Sequence, residues 1–442
     1  MKISLSDHFT YRKMLRFTLP CVVMLVFTSI YGVVDGFFVS NYVGKIPFAA
    51  VNLIMPFLFI LGVVGFMFGA GGGALIARTL GEGDKARANR LFSLLVYVSL
   101  GIALVLTVLS ILFLPNIVRA LGAEGELLDN CVTYGRIILL ALPFNVLQFE
   151  FQSFFVVSEK PQLGLAATVA SGLTNMVLDI VFMAVLGWGL PGAALATGLS
   201  QFVGGMIPLV YFSRPNSSLL RLGRTRMDRT ALLKTCTNGS SELMSNMSMS
   251  LVSMLYNLQL MKYAGENGVA AYGVIMYVSF VFVAIFLGYS SGIAPVVSFH
   301  FGADNKTEVR GLLRRSFVIV GVVSVSMLLS CLALATPLSG IFVSYDAELM
   351  EMTVRGLRFY AVSFLFSGVA IFGSAFFTAL NDGLTSALIS FLRSLLFQVA
   401  AVLFFPLIWG IDGIWLSVVA AELVAAAVTL VFLSVKRKVF HY

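Results

Sequence analysis

The stretch MLRFTLPCVVMLVFTSIYGVVDGFFV, residues 14–39, decides the class of fold. Between Arg16 and Asp35 it carries no charged side chain. It is long enough to cross a bilayer as one helix, which takes about 20 apolar residues. A carboxylate at this depth is costly and is rare in membrane helices unless it has a function. The stretch therefore predicts a membrane helix with one acid, Asp35, that needs an explanation.

Further apolar runs of similar length follow, and hydrophobic residues make up 59% of the chain while charged residues make up 11%. A soluble domain could not bury so large a share of apolar side chains. The runs also lack the two-residue alternation of barrel strands. We expect an all-α polytopic membrane protein of 12 transmembrane helices. The predicted spans are 14–39, 50–76, 91–114, 132–157, 163–187, 192–212, 236–262, 268–299, 316–343, 353–379, 384–408 and 413–435.

The distribution of basic residues predicts the orientation of the chain. No small-residue cleavage site follows the first run, which predicts a retained helix rather than a signal peptide. If both termini are cytoplasmic, most of the 29 Lys and Arg residues lie inside, as the positive-inside rule requires. The exceptions are Lys45, Arg119, Arg136, Lys262, Arg355 and Arg358, with Arg393 inside a span. We therefore expect a bacterial or archaeal cytoplasmic (inner) membrane protein, and we interpret the net charge of +8 as a topology signal, not a nucleic-acid footprint.

Motifs for enzymatic chemistry are missing from the sequence. The four cysteines form no CxxC pair, the three histidines lie far apart, and no phosphate-binding loop, nucleophile elbow or zinc-binding helix is present. This pattern argues against an enzyme, an ATP-driven pump and a bound cofactor. Nothing marks an oligomer interface, so a monomer is expected.

The two halves of the chain are copies of one another. A shift of 221 residues places Gly44 on Gly265, Gly71 on Gly292, Gly81 on Gly302 and Gly189 on Gly410. The sequence thus predicts an N-terminal lobe (1–212), a linker (213–235) and a C-terminal lobe (236–442), with six helices in each lobe. Parallel six-helix repeats are typical of transporters with a ligand path between the lobes, although a duplicated scaffold is the alternative.

Several polar residues break this repeat. The shift places Asp35 on Tyr256, Asn175 on Leu396, Asp179 on Ala400 and Thr197 on Val418. A requirement of the fold should appear in both copies, whereas a chemical requirement needs only one. Two carboxylates in a low dielectric without a basic neighbour cannot both ionise cheaply, so they should hold a proton or Na⁺. The pattern predicts a coupling-ion site in the N-terminal lobe.

Helical spacing extends this site. Asn175 and Asp179 are four residues apart and share a face, as do Thr197 and Gln201. A stripe on the fourth span would complete a polar chamber around the two carboxylates. That stripe consists of Asn145, Gln148 and Gln152. In the first span, Pro20 removes a backbone hydrogen bond and permits a kink, so it is the candidate hinge.

These residues resemble the multidrug and toxic compound extrusion (MATE) family of cation-coupled exporters over essentially the whole chain. The resemblance rests on Pro20 and Asp35 in the first span, on GEGDKARANRLF with its echo GADNKTEVRGLL, and on NMVLD followed by GLPGAALATGLSQ. It implies two six-helix lobes in a V around a central cavity, with Asp35 as the main proton-accepting or Na⁺-binding carboxylate. It further implies that Asp179, Asn175 and Thr197 complete the shell, with Tyr134 as a neighbour and Pro20 as the kink.

One branch of that family places acids mid-membrane in helices 7 and 10. Here the middle of helix 7 reads SNMSMSLVSM, and helix 10 has no acid between Glu351 and Asp382, which favours coupling in the N-terminal lobe. A polar stripe with a neighbouring methionine on helix 7 is either part of a substrate cavity or ordinary helix packing. It consists of Asn246, Met247, Ser250 and Asn257. Glu422 either binds a cationic substrate or pairs with Arg393; Glu150 has no assigned role.

The sequence therefore predicts an antiporter that exports amphipathic, cationic organic compounds in exchange for H⁺ or Na⁺. Its partners would be small-molecule substrates and membrane lipids. A lipid-linked oligosaccharide flippase of the same superfamily is one alternative, but it should line its cavity with Lys or Arg. A non-transporting membrane scaffold or receptor is the other, and it would not depend on Asp35.

Overall fold

A computed structural model describes residues 3–344 and 346–442, and every regular element in these ranges is helical. Two short π-helical segments, Ile180–Val185 and Leu392–Leu396, interrupt the α-helices. The helices are α1 (Tyr11–Tyr42), α2 (Lys45–Gly81), α3 (Lys85–Ala120), α4 (Gly125–Val157), α5 (Pro161–Asp179), α6 (Gly189–Ser213), α7 (Arg229–Gly302), α8 (Lys306–Val343), α9 (Ala347–Ala361), α10 (Phe364–Ala379), α11 (Gly383–Phe391), α12 (Phe397–Phe404) and α13 (Pro406–Phe440).

The described residues contain the predicted 12 spans, although three of them differ in outline from the prediction. Ten helices are long and apolar enough to cross a membrane, and α9 with α10 forms an eleventh span bent by 49°. The 74-residue α7 is two spans joined at Gly265, whose backbone is not helical (φ 61°, ψ −151°). The eleventh predicted helix is α11 and α12, joined by the second π segment. The all-helical, 12-span prediction is confirmed.

Glycines shared by the two halves make the same turns in each. Gly44 (φ 98°) and its copy Gly265 (φ 61°) join the first two spans of each half. Positive φ values of this kind strain any residue with a Cβ atom. Gly189 (φ 58°) and Gly410 (φ 59°) form a second matched pair before the last span of each half. The repeat seen in sequence is therefore a repeat of backbone geometry.

The first six spans, α1–α6, form the N-terminal lobe, and α7–α13 form the C-terminal lobe. Two buried apolar cores, with Phe92 and Tyr134, lie mainly in the N-terminal lobe, and a third, with Trp415 and Phe372, lies mainly in the C-terminal lobe and includes the first turns of α1. The segment 214–228 joins them, and α7 begins at Arg229, earlier than the apolar run that starts at 236. The predicted lobe boundaries, 212 and 236, stay a prediction.

The lobes contact each other through matched glycines. A Cβ on Gly71 would strike the backbone of Gly239, and a Cβ on Gly292 would strike Thr18. A shift of 221 residues converts the first of these contacts into the second, because it moves Gly71 to Gly292 and Thr18 to Gly239. The lobe interface is thus built like that of a two-fold dimer, with each contact made twice.

A second pair of matched glycines, Gly81 and Gly302, follows the same two-fold pattern. A Cβ on Gly81 would strike the carbonyl of Phe299, and a Cβ on Gly302 would strike that of Arg78, which is again the same contact after the shift. Between these points Ser298 Oγ donates to the carbonyl oxygen of Ala74 at 2.6 Å. We call this side of the molecule the terminal face. At the terminal face the lobes are closed against each other at backbone distance.

Residues 3–10, which we call the N-terminal strap, cross this closed face before α1 begins. Leu5 and Phe9 of the strap are fully buried. At one end, Ser4 Oγ (2.5 Å) and the Leu5 amide (2.8 Å) donate to Glu159, which follows α4. At the other end, the Phe9 amide donates to Glu308 in the first turn of α8 at 3.0 Å. The strap therefore has one anchor in each lobe.

Candidate functional site

The centre of the candidate site is the contact between α1 and α5. Gly172 on α5 lets α1 approach, since a Cβ there would lie 2.5 Å from the Phe27 ring and 3.1 Å from that of Tyr31. This packing brings Asp35 on α1 beside Asp179 and Asn175 on α5. Asp179 is the last residue of α5, and the first π segment begins directly after it. Such π segments recur at functional sites.

Several oxygens of the cluster lack hydrogen-bond donors. In the described part of the chain, Asp35 Oδ1, Asn175 Oδ1 and both carboxyl oxygens of Asp179 are buried without a hydrogen-bond partner. A buried acceptor left unsatisfied costs about 1–3 kcal/mol, and more when it is charged. Asn175 Nδ2 donates to Thr197 Oγ1 on α6 at 3.5 Å, and the Asn175 side chain also interacts with Asp35. The arrangement is a cluster of oxygens that a proton or a small cation would satisfy.

Two tyrosines flank the cluster. Tyr134 on α4 is 1% exposed and lies within electrostatic reach of both Asp35 and Asp179. Tyr31, one turn before Asp35 on α1, lies within reach of that carboxylate. The structure thus gathers Asp35, Asn175 and Asp179 with Thr197 and Tyr134, from four helices. Sequence reasoning missed Tyr31, although its four-residue spacing from Asp35 was a usable signal.

The polar stripe on α4 lies elsewhere. Gln148 Nε2 donates to Ser171 Oγ and Gln152 Nε2 to Thr168 Oγ1, each at 3.3 Å, so both side chains join α4 to α5. Asn145 faces α2, where its side chain would obstruct a Cβ on Gly62. The predicted single chamber is therefore divided, and these three residues make helix contacts. Gln201 is half-buried, and its Oε1 has no partner within the described ranges.

Pro20 lies where α1 meets the other lobe. The helix runs unbroken through it. Directly beyond it, Cys21 and Val22 lie against Gly288 of α7, and two residues before it Thr18 lies against Gly292. The terminal half of α1 is therefore held by the C-terminal lobe, while its other half carries Asp35 against α5. A bend that begins at Pro20 would therefore move the half of α1 that carries Asp35 relative to the half that the C-terminal lobe holds.

The C-terminal lobe fills the equivalent places differently. Tyr256, the copy of Asp35, is buried, and its hydroxyl donates to Gln398 Oε1 at 2.8 Å. This position therefore offers no unpaired carboxylate to a cation. Of the two alternatives for Glu422 the structure shows the pair, with Arg393 Nε 2.9 Å from Glu422 Oε2. On α7, Asn246, Ser250 and Asn257 are half-buried, and Met247 is 40% exposed.

A metal-binding cluster of three or more His, Cys, Asp or Glu residues is not found within 3–344 and 346–442. Any cation at the Asp35–Asp179 pair would therefore complete its shell with amide, hydroxyl or water oxygens. Oxygen ligands of this kind suit a hard cation such as Na⁺, and the same pair can hold a proton instead.

The comparisons with known proteins agree with this description. The family model MatE matches residues 20–181 and again 243–403, once in each lobe. The multidrug export protein MepA of Staphylococcus haemolyticus (strain JCSC1435) is 25% identical over 418 residues, which cover 94% of this chain and 91% of that protein. MepA of Staphylococcus aureus (strain MSSA476) is 24% identical over 425 residues, which cover 95% and 93%.

Solved structures confirm the two-lobe fold. The outward-facing structure of a multidrug resistance MATE family transporter of the MOP superfamily superposes with a TM-score of 0.93. The two chains are 22% identical, and the match covers 98% of this chain and 97% of the other.

Proposed function

This chain belongs to the MatE family, and we propose from that membership that it is a multidrug exporter driven by an inward flux of H⁺ or Na⁺. Its cargo would be amphipathic organic cations, carried by a monomer in the cytoplasmic membrane. The names of the MepA relatives, multidrug export proteins, support the class of cargo.

The observation that carries this proposal is the set of unsatisfied oxygens around Asp35 and Asp179. Both acids occur in only one of two otherwise matching lobes. Burying two carboxylates without partners would destabilise the protein and contribute nothing to the fold. A site that binds and releases a coupling ion in each cycle accounts for both facts, because such a site must be incomplete in one of its states.

The charge of the N-terminal lobe supports cationic cargo. Asp35, Glu150 and Asp179 lie within its spans, whereas its basic residues lie near helix ends and in loops, except Arg136, which is exposed on α4. A flippase for polyanionic head groups would need Lys or Arg residues in the lining of its cavity. The terminal face, with its basic loops, is then the cytoplasmic side, and the closed lobe contact there corresponds to a state open to the outside.

Coupling requires that the ion and the cargo favour different conformations. In this proposal, ion binding at Asp35 and Asp179 removes the repulsion between the two carboxylates and lets α1 repack against α5. The terminal half of α1 stays held by Gly288 and Gly292, so the adjustment occurs beyond Pro20.

The test is transport by the purified protein in liposomes, followed with a fluorescent cation such as ethidium under a pH or Na⁺ gradient. We expect gradient-driven uptake with wild-type protein and loss of coupling in Asp35→Asn. Glu150→Gln is the matched control, because it neutralises another buried acid of the same lobe that lies outside the cluster. Omitting Na⁺ at a fixed pH gradient identifies the ion.

Two results would contradict the proposal. Coupled transport that survives in Asp35→Asn would remove the site assignment. A lack of gradient-driven flux with a broad panel of cations would favour the flippase or the scaffold.

A further inference from the structure

The Arg393–Glu422 pair is a second charged site within the membrane spans. Arg393 lies in the span Gly383–Phe404 and Glu422 in the span Pro406–Phe440. The Glu422 side chain is 6% exposed and that of Arg393 is 18% exposed, so the acid is buried and the arginine is partly exposed. An arginine in a membrane span is costly when it faces lipid, so its accessible part should face a water-filled cavity.

This pair also breaks the repeat. The shift of 221 residues places Gly172 on Arg393 and Gln201 on Glu422. Gly172 is the glycine that lets α1 approach α5 beside the Asp35 cluster. Correspondingly, the segment around Arg393 contacts α7, and Tyr360 lies within electrostatic reach of both charges. Arg393 therefore occupies, in the C-terminal lobe, the neighbourhood that the carboxylate cluster occupies in the N-terminal lobe.

The backbone supports the same comparison. Arg393 lies in the second π segment, Leu392–Leu396, whereas the first π segment, Ile180–Val185, follows Asp179. These segments are not copies of each other, since the shift moves 180–185 to 401–406. Each lobe thus has its own π segment, placed at its own unmatched charge. Irregular backbone at a functional side chain is a recurrent feature of such segments.

The hydrogen bonds of Arg393 are incomplete. A guanidinium has five N–H donors, and in the described part of the structure only Nε is bonded, to Glu422 Oε2 at 2.9 Å. The forked end of the side chain, which suits a carboxylate or phosphate, is left without a protein partner. A buried ion pair with unused donors contributes little to stability. This pair is therefore better explained by a ligand.

We propose that Arg393, held in place by Glu422, binds the carboxylate of zwitterionic cargo. This inference rests on the proposed export function and narrows its substrate class. In such an amphipathic zwitterion, the cationic group would interact with the acidic N-terminal lobe, and the carboxylate would interact with Arg393. Glu422 acts as a positioning residue, which keeps the guanidinium fork directed away from itself.

The probes are two dyes that differ in one group. Rhodamine 6G is an ethyl ester and a cation, whereas rhodamine 19 is the corresponding free acid and a zwitterion. Binding and uptake of both are measured with wild-type protein and with the double variant Arg393→Gln/Glu422→Gln. The double variant avoids leaving Glu422 buried and unpaired. We expect about a tenfold loss of rhodamine 19 affinity, the order expected for a lost charge-assisted hydrogen bond, and an unchanged affinity for rhodamine 6G.

Arg355→Gln is the matched control, because Arg355 also pairs with an acid, Asp412, but is 62% exposed. It should leave the ratio of the two affinities at the wild-type value. An equal loss for both dyes in a variant that keeps its melting temperature, or no loss for either, would overturn the inference. Failure of wild-type protein to transport rhodamine 6G would instead count against the export function itself.

Discussion

Two buried acids of the N-terminal lobe, Glu150 and Asp179, differ in their hydrogen-bond partners. Glu150 is fully buried like Asp179 and its Oε1 also lacks a partner among the described residues, but its Oε2 accepts from Ser99 Oγ at 2.5 Å. The same hydroxyl lies 3.1 Å from the carbonyl oxygen of Val96. A hydroxyl has one hydrogen to donate. The shorter contact, to Glu150, takes this hydrogen, so one carboxyl oxygen of Glu150 has a donor.

This arrangement gives a prediction for stability. Glu150→Gln keeps an oxygen that accepts from Ser99, so it should leave the free energy of unfolding and the coupled transport nearly unchanged. Ser99→Val removes the partner and should lower the free energy of unfolding by about 1–3 kcal/mol, the cost of an unsatisfied buried polar group. Thermal unfolding in detergent measures both variants.

A larger loss of stability in Glu150→Gln than in Ser99→Val would show that Glu150 carries a charge in the folded state. The use of Glu150 as a residue outside the proposed coupling site would then need revision.

At the scale of helices, the spans and their repeat could be predicted from hydropathy and from shared glycines. Those glycines proved to be the turns and the lobe contacts, because both positions exclude a Cβ. The bend between α9 and α10 and the two π segments were not predicted. Hydropathy records only that a segment is apolar, so it cannot place such irregularities.

The grouping of the candidate coupling residues could be predicted as far as the repeat reached. Asp35, Asn175, Asp179 and Thr197 were selected because their copies are apolar or aromatic, and the structure brings them together. The contacts of the stripe on α4 were not predicted, since periodicity gives the face of a helix and not the helix that covers it. Gln148 faces Ser171 of α5 instead of the two acids.

The matched glycines predict how the lobe interface responds to one methyl group. Gly302→Ala places a Cβ against the carbonyl of Arg78 on α2, which is backbone and has little freedom to move. It should therefore destabilise the closed terminal face and increase the population open there. Spin labels at Lys85 and Lys306, which begin α3 and α8, report the separation of the lobes in a variant without native cysteines.

Gly321→Ala is the control for this measurement, because no atom lies within 4 Å of the added Cβ. It should give the wild-type distance distribution. If Gly302→Ala also gives that distribution, the glycine contact does not set the balance between conformations.

At the scale of the whole molecule, the N-terminal strap connects the two lobes across the face where they close. Arg315 donates to the Phe9 carbonyl at 2.8 Å, and Glu308 accepts from the Phe9 amide. Both backbone groups of Phe9, the second anchor of the strap, are therefore hydrogen-bonded. Arg315 and Glu308 belong to the C-terminal lobe, whereas Glu159 belongs to the N-terminal lobe. Any separation of the lobes at this face must break one set of contacts. The strap should therefore stabilise the closed face selectively.

Leu5→Ala tests this role. The side chain is fully buried, and its truncation should cost about 2–5 kcal/mol wherever the strap is docked. Because an open terminal face has already released one end of the strap, the loss falls mainly on the closed state. The Lys85–Lys306 label distance should lengthen. Leu15→Ala, on a side chain of α1 that is 49% exposed, is the control and should not change it. A lower melting temperature with an unchanged distance would make the strap a general stabiliser and not a latch.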